Sequence, residues 1–264
     1  MSTFEESKDK EGVMSYIVAI TGKGGVGKTT FSGLLINRLV ANFKAPVLAI
    51  DADPNSCLDA ALGVTIEKTV GGVREEAKVE AQKGMSAGIS KQDFLEMKIA
   101  ESLVEADGFD MISMGRPEGA GCYCFANNVL KSVIAKLSSQ YPYVVLDNEA
   151  GLENLSRRIV QKVNLLVLVS DASASGLETL KRLYTLSNEM EIKYEKLLVL
   201  INRLRSDELP EKAEEVRAFT GADFVVGLPY DVEIATLAEA GKPFSELSED
   251  NVVVKKVDQI IKSL

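Results

Sequence analysis

Eight consecutive residues, Gly22-Lys23-Gly24-Gly25-Val26-Gly27-Lys28-Thr29, have the types and spacing of a loop that binds phosphate. Gly22, Gly27, Lys28 and Thr29 meet the pattern G-x-x-x-x-G-K-[ST], which works only between a strand and a helix. Both flanks are present: an apolar run over 16–20 precedes the loop and helix-forming residues follow it from Thr29 and Thr30 onward. The glycines let backbone N–H groups approach phosphate oxygens, and the following helix turns its positive end toward them. Lys28 is placed to reach the β and γ oxygens and the Thr29 hydroxyl to ligate Mg²⁺. The expected ligand is a nucleoside triphosphate.

Three further groups could join that chemistry, and a fourth could bind metal. Asp51-Ala52-Asp53-Pro54 follows a second apolar run, and Asp147-Asn148-Glu149-Ala150-Gly151 follows Val144-Val145-Leu146. In a doubly wound sheet ligands collect at the carboxyl ends of strands, although strand-end aspartates also serve as plain turn formers. Asn202 ends the run 197–201, where asparagine is at home in a turn on its own account. Cys122-Tyr123-Cys124 holds two of the three cysteines of the chain. Closing a disulfide over one intervening residue strains it, and a reducing compartment disfavours it, so the pair reads as soft metal ligands. The chain has no histidine, and two sulfurs are too few for a closed tetrahedral or square-planar site. A twofold dimer would double them to four. Cys57, beside Leu58 and Ala60, reads as a small buried apolar residue, and Tyr123 and Tyr230 as packing residues.

The elements that must position these groups alternate along the chain. Strands are expected at 16–21, 47–51, 109–114, 143–147, 165–170, 196–201 and 224–226. Helices are expected at about 29–43, 130–139, 152–162, 176–190, 211–219, 233–240 and 252–264. The pattern is that of an α/β fold, a mostly parallel doubly wound sheet with helices on both faces. Residues 63–107 carry two charged helical pieces, 73–82 and 91–105, separated by Gly84 and Gly88, and read as an insertion over one end of the sheet. Residues 1–15, in which six of the seven positions from Glu5 to Glu11 are charged, read as an appendage, leaving 16–264 as a single domain.

The 264 residues suffice for one large core. With 39 acidic and 30 basic residues the net charge is −9, which argues against a general nucleic-acid surface. No stretch approaches the ~20 apolar residues of a membrane span and no apolar leader opens the chain, so the expectation is a cytoplasmic protein. Val253, Val257, Ile260, Ile261 and Leu264 form an apolar stripe at helical spacing, which suits a helix packed on the sheet or one lying on a membrane surface. With three lysines and no aromatic anchor on that helix, stable membrane association is not expected.

The loop with its second lysine, Lys23, resembles the deviant Walker-A group of P-loop ATPases, which includes MinD, ParA and the nitrogenase iron protein. That resemblance implies nucleotide-controlled homodimers in which Lys23 crosses to the partner's nucleotide. It implies that Asp53 orients the attacking water, that Asp147 supports Mg²⁺ through a water, and that Gly151 lets a switch loop follow the γ-phosphate. Asn202 would meet the adenine edge, and Leu228-Pro229-Tyr230-Asp231 resembles the segment lining the base, which brings in Pro229 and Asp231. The segment Gly115-Arg116-Pro117-Glu118-Gly119-Ala120-Gly121-Cys122-Tyr123-Cys124, with Asn127-Asn128 and Asp53-Pro54-Asn55-Ser56-Cys57-Leu58, is similar to the CooC-type nickel-insertion ATPases. In that family C-x-C thiolates of two subunits bind nickel or zinc, here Cys122 and Cys124. The implied client is a nickel enzyme, carbon monoxide dehydrogenase or acetyl-CoA synthase.

The function expected from this resemblance is a nickel chaperone driven by ATP hydrolysis to ADP; the alternatives are an iron–sulfur reductase and a positioning ATPase of the MinD/ParA type. A reductase of the nitrogenase type needs two well-separated cysteines per subunit, and no cysteine follows Cys124.

Overall fold

The structure, a computed structural model, describes residues 15–55, 57–83, 90–115, 124–152 and 162–263. Its centre is an eight-stranded sheet in the order β3-β4-β2-β5-β1-β6-β7-β8. The strands are β1 (Tyr16–Gly22), β2 (Val47–Asp51), β3 (Val104–Glu105), β4 (Phe109–Ser113), β5 (Tyr143–Asp147), β6 (Lys162–Asp171), β7 (Lys193–Leu204) and β8 (Phe224–Pro229). Among the described residues all pairings are parallel except β3 with β4. β1 lies between β5 and β6, with β2 beyond the one and β7 beyond the other. The winding reverses there, which opens the crevice used for ligands in folds of this kind.

The helices are α1 (Lys28–Phe43), α2 (Leu58–Leu62), α3 (Val70–Lys83), α4 (Lys91–Ala100), α5 (Cys124–Ser138), α6 (Ala174–Glu189), α7 (Ala213–Thr220), α8 (Val232–Glu239) and α9 (Val252–Ser263). Alternate strand residues feed two separate apolar layers, as the period of two requires. Val18, Ile20, Val145, Val167 and Leu198 pack on the α1 side, while Ala19, Val144, Leu166, Leu168 and Val199 pack on the α6 side. The central strands are therefore buried on both faces and read as continuous apolar runs.

The stripe on α9 is spent inside the protein. Val253, Val257, Ile260 and Ile261 are all buried in the α1-side layer, each burial contributing about 1.5–3 kcal/mol before ordering entropy is subtracted; Leu264 lies outside the described residues. Arg38 of α1 grips Asp258 of α9 with two hydrogen bonds, 2.8 Å from Nε and 3.0 Å from Nη2. That pairing fixes which face of α9 turns inward. Among the described residues no helix is long and apolar enough to cross a membrane.

Several expected boundaries move. The helix expected over 91–105 stops at Ala100, and Val104–Glu105 instead forms an antiparallel edge strand. The cause is Asp107-Gly108, a hairpin pair in which Gly108 has φ 82° and Ala106 N–H closes on Phe109 O at 3.0 Å. Helix α5 already includes Cys124, ahead of the expected 130. Strands β6 and β7 run longer at both ends than expected, because they pair with each other from Lys162↔Lys193 to Asp171↔Asn202. Short helix α2 and the 3₁₀ turn Phe244–Glu246 were not expected. Most of the helix expected over 152–162 and nearly all of the appendage 1–15 lie outside the described residues.

Candidate nucleotide-binding site

The loop leaves β1 at Gly22 and enters α1 at Lys28. A Cβ at Gly22 would stand 2.2 Å from Val169 O on β6, so the neighbouring strand demands glycine there before any ligand is considered. Gly27 has φ 92°, and a Cβ on it would reach within 2.3 Å of Asn202 Nδ2. Gly24 and Gly25 are exposed, whereas Val26 is buried and anchors the loop from below. The first turn of α1 has neither an acidic residue nor a side-chain cap, which leaves its N–H groups to an incoming anion.

The two lysines of the loop are placed differently. Lys28 is 8% exposed, and its Nζ turns back to donate to Lys23 O at 3.3 Å. It thus holds its charge over its own loop. The Lys23 side chain is exposed. Asp171 on β6 is held below its ordinary range first by the Ser173 hydroxyl, with lesser help from its backbone hydrogen bond and from Lys23 and Arg203.

Two buried carboxylates face the α1 side where β2 and β5 end. Asp51 and Asp147 are register partners across those strands. Asp147 is 1% exposed; burial pushes its carboxyl up to about 6, against hydrogen bonds from Thr29 and Ser32 and the charge of Lys28. Ser32 Oγ donates to Asp147 Oδ1 at 3.0 Å. Thr29, Ser32 and Asp147 form an all-oxygen donor set at the head of α1, which fits a Mg²⁺ ion carried in on triphosphate oxygens. Burial, and then the nearby Asp147, push Asp51 up to about 7. Its carboxylate accepts from Asp53 N at 3.0 Å and from Cys57 N and Leu58 N at 3.1 Å each. Asp53 is half-buried, and its Oδ1 accepts from Asn55 N at 2.8 Å.

The segment after Asp147 is tied to β1. Asn148 donates through both its backbone N and Nδ2 to Ile20 O, each at 3.0 Å. Gly151, at φ 100°, donates to Gly22 O at 3.3 Å, and its own carbonyl accepts from the Thr21 hydroxyl. A γ-phosphate that took the Gly151 N–H would have to break the first of these bonds.

Beside Thr30 opens a cavity of ≈ 330 Å³ whose walls include Asn202, Arg203, Pro229, Tyr230 and Asp231. The fold thus gathers the residues expected around a base, but two of them have structural duties. Asn202 Nδ2 donates to Val26 O at 2.9 Å, and its Oδ1 accepts from Arg203 N. Asp231 caps α8 through Ile234 N at 2.9 Å and accepts from Asn251 at 3.1 Å. Tyr230, expected to pack, is 57% exposed at the cavity rim.

Cysteine placement corrects one expectation. Cys57 is exposed rather than buried, because Asp51 holds its backbone at a loop corner while its side chain points outward. Although the residue is exposed, partial desolvation of the thiol against the loop and then the surrounding aspartates raise its pKa, which makes it a poor thiolate. Cys124 belongs to α5, and Cys122 lies outside the described residues. Among the described residues no group of three or more cysteine, aspartate or glutamate side chains could hold a metal ion. Sequence reasoning gave no role to Asp51, Ser32 or Asn148. The one signal for Ser32 was a small hydroxyl within the apolar stripe of α1, four residues after Lys28.

The family model for the CobQ/CobB/MinD/ParA nucleotide binding domain matches residues 17–244. An uncharacterized ATP-binding protein of Methanocaldococcus jannaschii is 44% identical over 249 residues, covering 94% of this chain and 98% of its own. The carbon monoxide dehydrogenase accessory protein CooC of Rhodospirillum rubrum is 28% identical over 249 residues, 88% of this chain and 90% of its own. Among solved structures, a ParA family ATPase from Chlorobium tepidum superposes with a TM-score of 0.70 over 93% of this chain and 96% of that one, at 16% identity. That likeness shares the fold.

Proposed function

The chain belongs to the CobQ/CobB/MinD/ParA family of nucleotide-binding domains, and from that premise we propose that it is an ATP-driven dimerisation switch of the MinD/ParA kind. The observation that carries this reading is the convergence of the loop Gly22–Thr29, the buried Asp147 and the strand-linked Gly151 at one sheet edge. Lys28 and the N–H groups of the loop and α1 bind the triphosphate of their own subunit. Mg²⁺, when bound with ATP, neutralises charge on the β- and γ-oxygens. Asp147, Ser32 and Thr29 orient that end of the phosphate chain, and Asp53 orients the attacking water. Asn202, Pro229 and Asp231 border the base, and exposed Lys23 serves the partner subunit's nucleotide. Hydrolysis to ADP then lets Gly151 return to Gly22 O and the dimer part. Asp53→Asn tests the assignment: it should keep ATP and Mg²⁺ bound while hydrolysis slows by roughly 100-fold or more and the ATP-bound dimer persists. If a folded Asp53→Asn protein fails to bind ATP, the roles of Asp53 and Asp147 are exchanged.

For the work done by the switch, positioning is the reading with the broader support, since MinD and ParA are two of the four names in the family's description and the fold is shared with a ParA ATPase. The apolar stripe of α9 is used internally, so such a role would recruit its surface through another face. A second reading has its own observation: a relative at 28% identity is a carbon monoxide dehydrogenase accessory protein, and this chain carries Cys122-Tyr123-Cys124. On that reading nickel, or zinc, is the cargo and carbon monoxide dehydrogenase or acetyl-CoA synthase the client.

A further inference from the structure

Asp51 has no part in the chemistry proposed above, yet it is fully buried and spends both carboxylate oxygens on one loop. Its Oδ1 accepts from Asp53 N at 3.0 Å, and its Oδ2 accepts from Cys57 N and Leu58 N at 3.1 Å each. Both ends of the segment between β2 and α2 are therefore tied to one carboxylate. Helix α2 is five residues long with Cys57 as its N-cap and no side-chain cap from that residue; Asp51 does that service from the end of a strand. Three backbone donors converge on this one buried carboxyl group. They offset the cost of burying it.

We infer that Asp51 is a positioning residue for hydrolysis, holding the loop 53–58 so that the Asp53 side chain stands at the phosphate site beside Asp147. The inference deepens the proposed function and rests on it for the word hydrolysis alone; the anchoring is a property of the nucleotide-free fold. The register places Asp51 directly opposite Asp147, and Ala52 N donates to Asp147 O at 2.9 Å. The distance between the two switch segments is thus set through Asp51 and its neighbour, before ATP arrives. An isosteric amide at 51 keeps one acceptor oxygen and puts an NH₂ against backbone donors, so at least one end of the loop must be released.

Hydrogen exchange on the full-length protein, read by mass spectrometry, tests the anchor directly. In the unaltered nucleotide-free protein the amides of Cys57 and Leu58 should exchange slowly despite lying at a surface loop; fast exchange at both overturns the proposal without any variant. In Asp51→Asn they should exchange roughly tenfold faster or more, while β2 and α1 keep their protection. Steady-state ATPase measurement should show kcat down by roughly 10- to 100-fold with KM for ATP changed by less than about threefold, since the loop Gly22–Thr29 is untouched. A general loss of structure would instead raise exchange throughout and KM with it. If Asp51→Asn does not fold, Asp51→Ser takes its place, losing the reach to Cys57 and Leu58 without adding volume. Unchanged protection at 57 and 58 in a folded variant, or unchanged kcat, overturns the proposal. If the unaltered protein does not hydrolyse ATP, the proposed function falls, while the exchange results still decide whether Asp51 anchors the loop.

Discussion

Asn202, at the bulged end of β7, donates from Nδ2 to the carbonyl of Val26 at 2.9 Å and lies where a Cβ on Gly27 would collide with it. The residue expected to read the base is also a strut under the phosphate loop. Asn202→Ala would leave the Val26 carbonyl buried without that partner, a cost of about 1–3 kcal/mol. Affinity for ATP should fall by about tenfold or more. Calorimetry with ATP and GTP separates the two duties: a strut weakens both nucleotides alike, whereas a base reader weakens ATP selectively. Unchanged affinity for both would remove Asn202 from the site.

The two loop lysines should fail in different ways. Lys28→Ala should abolish nucleotide binding, because its ammonium already lies over its own loop. Lys23→Ala, at an exposed position, should retain most ATP binding yet lose hydrolysis by roughly 100-fold or more, together with ATP-driven dimerisation. Light scattering and phosphate release on the same samples check both. Hydrolysis at the unaltered rate in Lys23→Ala would rule out its action across the dimer.

Asp51 and Asp147 make the nucleotide-free fold sensitive to pH with a definite sign. Burial lifts Asp51 to about 7 and Asp147 to about 6, above the ordinary 3.8. As pH rises the unfolded chain gives up these protons first, so the fold loses stability from about pH 4 upward and the loss is complete above about pH 7. Thermal melts without nucleotide should therefore show Tm falling between about pH 4 and 7, and Asp51→Asn should flatten that slope. A Tm that rises through the same range in the unaltered protein, and is unaffected by the variant, would mean these carboxylates are not desolvated.

The nickel reading stands on Cys122 and Cys124. If it holds, one Ni²⁺ or Zn²⁺ should bind per dimer through four thiolates, two from each chain, and bind more weakly as pH falls because protons compete for the sulfurs. Changing both cysteines to serine should remove the metal and any metal-induced dimer but leave ATP binding intact. Metal analysis and calorimetry that find one metal per chain, or unchanged affinity in the double variant, would leave the positioning reading alone in the field.

The phosphate loop was legible in the sequence because its parts are covalent neighbours: Gly22 to Thr29 carry their own spacing, and the strand and helix on either side announce themselves through apolar period. The alternation of strands and helices likewise predicts a doubly wound parallel sheet, since strands buried on both faces must read as unbroken apolar runs. Tertiary structure alone decided which polar residues meet. Asn202 reaches Val26 across 176 positions and Ser32 reaches Asp147 across 115, and no local pattern encodes such partners. The same holds for Cys57, whose apolar neighbours suggested burial: Leu58 turns into the core, but Asp51 grips the backbone of both residues and leaves the thiol outside. Side-chain periodicity reports which face of an element is buried. The long-range register of β2, β5 and β7 determines what waits on that face, and here it brought two carboxylates and a strut to the phosphate loop.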